Sequence, residues 1–410
     1  MWDVVVIGAG AAGCMAALFA AETGRQVLLL ERTKDGGRKI LISGGGRCNI
    51  LPSSLSPGQY ITNSSPNTLK KILLSWPLAE QQRFFPEVLD LPLRLEPETG
   101  KLFPESNRAR TVRDGLLDAI RERGGRIQFE SVVRDIQPNS RGWIIQLDDG
   151  ETVKSSCVIL ATGGLSVPAT GSDGIGLRIA RRLGHTIHET YPALTPLTAS
   201  PPVHEHLAGI SLPVTLEAPL KKGVFRTHGG FLFTHRGYSG PTVLNISHVA
   251  VQGRMRGERQ PIFVQWTEQD AAAVDQALRS EKGTVAGFFR KQLADRLADM
   301  LVAEAQVPGD RPLAQLRREE RERLVAALAR YPLPWTSDEG YRKAEVTGGG
   351  VALGEVDART LESRLHPGLY LCGEILDAFG PIGGYNFCWA WATGRAAGMA
   401  AARASDAAVD

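Results

Sequence analysis

The stretch WDVVVIGAGAAGCMAALFAAETGRQVLLLER at the N-terminus restricts the fold more than any other part of the chain. It reads as a strand from Asp3 to Ile7, a glycine turn, a helix from about Ala11 to Glu22, and a strand from Gln26 to Leu30 that ends in Glu31. This is a βαβ unit, and Gly8, Gly10 and Gly13 give it the spacing G-x-G-x-x-G. The three glycines serve a tight turn, a close approach of backbone to a pyrophosphate, and helix–strand packing. The helix N-terminus offers free N–H groups and about half a positive charge to phosphates, and Glu31 stands where an acid accepts ribose hydroxyls. The expectation is a dinucleotide site in an open α/β sheet.

The rest of the composition sets bounds. A chain of 410 residues exceeds what one core usually serves, so two or three domains are expected. Hydrophobic residues at 43% and charged residues at 22% exclude global disorder and fibrous repeats. A net charge of +3 gives no mass electrostatic drive toward nucleic acid, although a local basic face stays open. The five cysteines are odd in number and lack C-x-x-C spacing, which argues against a disulfide framework or a zinc site and for a reducing cytoplasm. Asp3 stands where a signal peptide needs positive charge, and nothing else reaches the ~20 apolar residues of a membrane span.

Further along, RTKDGGRKILISGGGRCN is a second glycine-rich passage whose Arg38, Lys39 and Arg47 suit a ligand longer than a mononucleotide, or a basic surface loop. The alternation in RIQFESVVRDIQPNSRGWIIQLDDGETVKSSCVILATGG predicts a β-meander with a turn at Asp149-Gly150. Its last strand stops at the small residues Ala161 to Gly164, where open α/β sheets bind ligands. From about Tyr191 the composition changes to a proline-rich entry, strand-like runs including LPVTLEAPL and GGFLFTHRGYSGPTVLNIS, and helical patterns near Glu268 to Leu278, Val285 to Ala303 and Pro312 to Arg330. In RPLAQLRREERERLVAALARYPLPW, which contains the last of these, Leu313, Leu316, Leu324 and Leu328 form an apolar face, and six arginines stand among three glutamates. That charge reads either as a solvated face or as a phosphate-contacting surface for structured RNA. His204 and His206 read as an exposed loop, and no metal site is expected.

With IGAGAAG, GRKILISGGGRCN, ATGGLSVPATGSDGIGLRIARRLGH, FLFTHRGYSGPTVLNIS, AEVTGGGV and GLYLCGEILDAFGPIGGYNFCWAWATG in this order, the chain resembles the glutathione-reductase-like FAD fold. More narrowly, it is similar to the BaiN/RdsA family of NAD(P)/FAD-dependent oxidoreductases, some members of which are called aminoacetone oxidase family proteins. The resemblance implies a Rossmann-like FAD-binding domain built from both chain ends, residues 1–190 and 341–410, with a β-meander and a β-rich plus helical domain inserted at 191–340.

The resemblance also implies residue roles. Gly8, Gly10, Ala11, Ala12, Gly13 and Glu31 would bind the ADP half of resident FAD, with Arg32 beside them. Arg38, Lys39 and the loop Ser43, Gly44, Gly45, Arg47, Cys48 and Asn49 would approach pyrophosphate and flavin. Val133, Ala161, Thr162 and Gly163 would line the cofactor from the meander side, and Gly373, Glu374, Gly383, Gly384, Tyr385 and Asn386 would complete the site. Cys48, His235 and Cys388 are the candidate proton donors or substrate contacts.

The chain departs from the family pattern at Ile50-Leu51-Pro52 and at Cys388, where relatives often carry Gln. No second complete G-x-G-x-x-G accompanies the first, so NAD(P)H is expected as a transient donor. The implied reaction is hydride delivery to a C=C conjugated to a carbonyl, in a small enone-like molecule or in uracil of ribosomal RNA. An oxidase of a small amine such as aminoacetone, and a non-catalytic FAD-bound RNA-binding protein, are the alternatives.

Overall fold

Strand β1 (Trp2–Ile7) runs parallel to β2 (Val27–Leu30), with helix α1 (Ala11–Ala21) crossing between them. The expected βαβ unit is present within a residue or two of each boundary. The structure, a computed structural model, describes residues 1–405 and divides into two units. One comprises Met1–Pro192 and the chain from Glu345 onward; the other is Ala193–Ala344.

In the first unit, α2 (Arg38–Ile42) follows β2. A small antiparallel sheet then forms from β3 (Leu51–Pro52), β4 (Leu93–Glu96) and β5 (Lys101–Pro104), with α3 (Pro66–Leu73) and α4 (Leu78–Leu89) lying between β3 and β4 in sequence. Next come α5 (Ala109–Glu122), β6 (Arg126–Gln128) and the meander β7 (Val133–Asn139), β8 (Gly142–Leu147) and β9 (Thr152–Leu160), then α6 (Ile175–Arg182) and β10 (Ile187–Ala193). After the second unit the chain returns with β18 (Val346–Val351), β19 (Leu369–Leu371) and α12 (Tyr385–Ala404).

The main sheet has the order β6-β2-β1-β9-β8-β7, with β19 also on β9. Strand β9 joins its two halves. Its first residues pair antiparallel with β8, whereas Val158–Leu160 lie between β1 and β19, parallel to both. Strands with such neighbours are covered on both faces, which is why VVVI and VLLL carry no alternation. Because β19 comes from the end of the chain, both ends build one sheet, and α12 completes it by packing on α1. A Cβ on Gly394 would lie 2.3 Å from the Ala12 carbonyl oxygen and one on Gly398 2.2 Å from that of Ala16, so the two backbones approach as only glycine permits.

The second unit is built on an antiparallel seven-stranded sheet. Its strands are β11 (Leu197–Thr198), β12 (Ser211–Pro219), β13 (Val224–Thr234), β14 (Gly237–Ser239), β15 (Phe263–Gln265), β16 (Tyr331–Pro332) and β17 (Ser337–Asp338). Its helices are α7 (Pro241–Met255), α8 (Ala271–Ser280), α9 (Val285–Arg290), α10 (Asp295–Glu304) and α11 (Arg318–Ala329).

Three sequence expectations change here. The run GGFLFTHRGYSGPTVLNIS is strand only to Ser239: Gly240 turns with φ +93° and Pro241 opens α7 at the first helical position, where a missing N–H costs nothing. The helix expected from Val285 to Ala303 is two helices, interrupted between Arg290 and Asp295. His204 is buried, its Nδ1 3.0 Å from the Tyr238 hydroxyl and its Nε2 3.1 Å from that of Tyr331; the surrounding prolines hid an inward-facing side chain. The arginines of α11 are largely paired, Arg321 with Asp275 at 2.6 Å and Arg318 with Glu322 at 2.8 Å. Among the described residues no helix is long and apolar enough to cross a membrane.

Candidate functional site

A cavity of about 500 Å³ opens in the first unit above the C-terminal ends of β1 and β9, where open α/β sheets place their ligands. At one end stands the β1–α1 turn. A Cβ on Gly8 would lie 2.6 Å from the Ala161 carbonyl oxygen, and one on Gly13 1.8 Å from that of Gly8. Gly10 differs: nothing lies within 4 Å of where its side chain would begin, and it lines the cavity. Gly8 and Gly13 therefore hold the turn against the sheet, while Gly10 keeps space free. Helix α1 has no side-chain cap and no acidic residue in its first turn, so its unpaired N–H groups are left for an anion.

Glu31 is buried at the end of β2 and already organises this end. One carboxylate oxygen accepts from the Ala9 N–H at 2.8 Å; the other accepts from the Thr33 N–H at 2.8 Å and the Thr33 hydroxyl at 2.7 Å. A carboxylate offers about four acceptor positions, so one remains for a ligand hydroxyl. Arg32 pairs with Asp173 and Arg38 with Asp35 at the rim.

The glycine-rich loop forms the middle of the wall. Gly44, Gly45 and Gly46 have φ of 55°, 67° and 85° in succession, a left-handed run that side chains resist. Lys39 reaches across the cavity wall, donating from Nζ to Ser166 Oγ and Glu374 Oε2. Ser166 donates to the other Glu374 oxygen, which also accepts from the Thr347 N–H at 3.0 Å. Glu374 is thus a node between the loop after β9, the start of β18 and α2.

At the opposite end is the N-terminus of α12, again with no side-chain cap and no acid in its first turn. Asn386 accepts from the Gly380 N–H at 2.9 Å and donates to the Gly380 carbonyl at 3.0 Å, clamping the approach loop. Two tryptophans of α12 bond to its neighbours. Trp389 lines the cavity and donates to the Gly373 carbonyl at 3.1 Å; Trp391 donates to the Ile50 carbonyl, also at 3.1 Å. Each ties α12 to a segment of the cavity wall or its immediate flank.

Most of the cofactor-binding residues expected from sequence come together around this cavity. Gly13, Arg47, Cys48 and Tyr385 do not line it. Gly13 lies beneath the turn, and Arg47 turns away to stack on Phe103 and pair with Glu96 at 3.0 Å. Burial pushes the Cys48 and Cys388 thiols up to about 12, so both stay protonated and unreactive at neutral pH. Neither lines the cavity. His235 belongs to the second unit, on the exposed turn between β13 and β14.

A serine–histidine–glutamate series in the first unit has another explanation. His185 Nε2 lies 3.0 Å from Ser363 Oγ and its Nδ1 3.1 Å from Glu355, which resembles a nucleophile with its base. Ser363 is buried, however, and its oxygen accepts from the Leu365 and His366 N–H groups. The series closes a turn.

The sequence reading missed Glu345, Phe379 and Trp389, all of which line the cavity. Glu345 was legible only as a letter of AEVTGGGV, since no local pattern marks a strand-start carboxyl as cavity-facing. Glu345 is an exposed residue where it lines the cavity, yet protein crowded around its carboxyl raises its pKa against a smaller opposing pull from Lys101.

These features fit a dinucleotide with a ring system. The space before Gly10 and the uncapped α1 suit a pyrophosphate, the free acceptor of Glu31 suits a ribose, and the uncapped α12 faces the remaining length of the cavity.

The chain matches the HI0933-like protein Rossmann domain over residues 2–400. It is 36% identical to a ribosomal RNA dihydrouridine synthase of Escherichia coli K12, over 96% of each chain. It is also 32% identical to a 3-dehydro-bile acid delta(4,6)-reductase of Clostridium scindens, over 97% of this chain and 98% of the relative. The open form of a flavocytochrome c3 fumarate reductase shares its fold, with a TM-score of 0.52 at 17% identity over 98% of this chain and 78% of that one. Taken with the cavity, the family match and the full-length relatives show that the chain is an oxidoreductase of the HI0933-like Rossmann family.

Proposed function

We propose that this protein is an FAD-dependent reductase that adds hydride to a carbon–carbon double bond conjugated to a carbonyl, drawing electrons from transiently bound NAD(P)H. The observation that carries the reading is one cavity with an uncapped helix N-terminus at each end, α1 and α12. Both relatives named above support it, since uracil and a dehydro-bile acid share a conjugated C=C. Reduced FAD, when bound, supplies the hydride.

The chain's own residues bind and orient. Gly8, Gly10 and the first turn of α1 take the pyrophosphate; Glu31 takes the adenosine ribose. Lys39 and Glu374 hold the middle wall rigid at the ribityl region, and Gly44, Gly45 and Asn49 form the wall toward the ring. The N-terminus of α12, at Gly383, Gly384 and Asn386, stabilises negative charge on the ring's pyrimidine side by about 1 kcal/mol. Phe379 and Trp389 exclude water beside it. All five cysteines are free and buried, which suits work in the cytoplasm.

The test is anaerobic. Purified protein is analysed for flavin, mixed with NADH or NADPH to bleach it, then offered an unmodified ribosomal RNA transcript or 2-cyclohexen-1-one. Recovery of the oxidised spectrum with one acceptor supports the reading. Flavin that oxygen alone reoxidises, with peroxide as product, overturns it.

A further inference from the structure

Among the carboxylates that line the cavity, Glu345 stands apart. Glu31 and Glu374 each bind several protein donors, whereas Glu345 has no hydrogen bond or ion pair among the described residues. Its position is nonetheless fixed. It immediately precedes β18, which pairs with β10, and two residues on the Thr347 N–H is held by Glu374 while the Thr347 hydroxyl accepts from Leu165 and Ser166 at 2.7 and 3.1 Å. A free carboxyl on an anchored backbone is what a group reserved for a ligand looks like.

The charge that acts on Glu345 is that of Lys101 in β5. The Lys101 ε-carbon lies 3.8 Å from where a side chain on Gly383 would begin, so the ammonium stands beside the N-terminus of α12. It too has no hydrogen bond or ion pair among the described residues. An unpaired acid on the cavity wall thus stands near an unpaired cation that lies behind the wall at Gly383, next to a helix terminus that favours negative charge.

Resting on the double-bond reading, we propose that Glu345 is the proton donor of the reduction and that the positive charge of Lys101, behind the wall at Gly383, stabilises charge developing on the substrate's carbonyl oxygen. Hydride supplied by the reduced cofactor would form a C–H bond at the β-carbon, leaving the cofactor oxidised, and the π electrons would move to the carbonyl oxygen. Lys101 balances the oxyanion. The Glu345 O–H bond breaks as its proton forms the second C–H bond at the α-carbon, the carbonyl is restored, and the carboxylate regains a proton from solvent through the cavity. Enclosure by protein keeps this carboxyl protonated to higher pH than an ordinary glutamate, as a general acid requires.

The test uses the FAD-loaded full chain, with Glu345→Gln, Glu345→Asp and Lys101→Met. Infrared difference spectra between acidic and neutral pH come first: a carboxylic-acid C=O band titrating above the ordinary glutamate range is expected, and is lost in Glu345→Gln. Dithionite-reduced protein is then mixed anaerobically with the ribosomal RNA transcript or 2-cyclohexen-1-one. Glu345→Gln is expected to reoxidise about 100- to 1,000-fold more slowly with normal flavin content, the rate falling with rising pH only when the carboxyl is present, and Glu345→Asp to recover part of the rate. Lys101→Met is expected to lower kcat more than it raises KM.

Wild-type rates and pH profile in Glu345→Gln, or retention of the infrared band, overturn the assignment. Loss of FAD from both Glu345 variants also overturns it, making the residue part of the cofactor's support. If the wild-type protein itself is not reoxidised by either acceptor, the double-bond reading falls instead.

Discussion

The two ends of the cavity are built in opposite ways. At the β1–α1 end the groups come from one continuous βαβ unit and are largely committed: Gly8 and Gly13 are fixed by backbone contacts, and Glu31 by three hydrogen bonds. At the α12 end the wall is assembled from the segments around Glu345 and Gly383, with Lys101 behind it, far apart in sequence, and the two charged side chains are uncommitted. A part common to every dinucleotide can be rigid in advance. A part that meets a changing substrate needs side chains whose partners arrive with it.

The sharpest break in this comparison is Gly13→Val. A side chain starting 1.8 Å from a carbonyl oxygen forces α1 off the turn, at about 3 kcal/mol, and FAD affinity is expected to fall by roughly 100-fold or more, with a lower melting temperature. Gly10→Ala separates fit from fold. With nothing within 4 Å, the FAD-free protein should keep its stability within about 0.5 kcal/mol, while FAD affinity drops about tenfold, or ~1.4 kcal/mol; titration and thermal melts of the same samples check both.

Trp391→Phe leaves the ring and removes the donor to the Ile50 carbonyl. A loss of about 1 kcal/mol is expected in urea unfolding. The smallest effect is the pH dependence contributed by Glu345. Its folded pKa is raised, so its contribution is fully present below the unfolded glutamate value and is lost as pH rises through the folded one. Melting temperatures of FAD-free Glu345→Gln should lack that decline at the alkaline side of the glutamate range, where the wild-type protein shows it.

The same contrast explains what the sequence could reveal. The βαβ unit and the meander were legible because their periodicity and glycine spacing are local, and Glu31 because it lies at a fixed distance along one motif. The Pro241 helix was read as strand because Thr242, Val243 and Ile246 favour strands; burial against the second unit's sheet overrides that preference. Cys48 and Cys388 drew attention as thiols, yet their burial is a tertiary property. Glu345 and Lys101 carry no local signal at all, since only the return of the chain after the second unit brings the first to the cavity. The indole N–H bonds of Trp389 and Trp391 to Gly373 and Ile50 are likewise tertiary and carry no local signal.

The central claim is that one FAD spans both ends of this cavity, and a titration of FAD-free protein with FAD tests it most directly, followed by flavin absorption and by quenching of Trp389, which lines the cavity. One FAD per chain is predicted, with quenching that saturates at the same ratio, has a weaker affinity in Gly10→Ala and a smaller amplitude in Trp389→Phe although FAD still binds. No binding, or binding with equal affinity in Gly10→Ala and Gly13→Val, would contradict it.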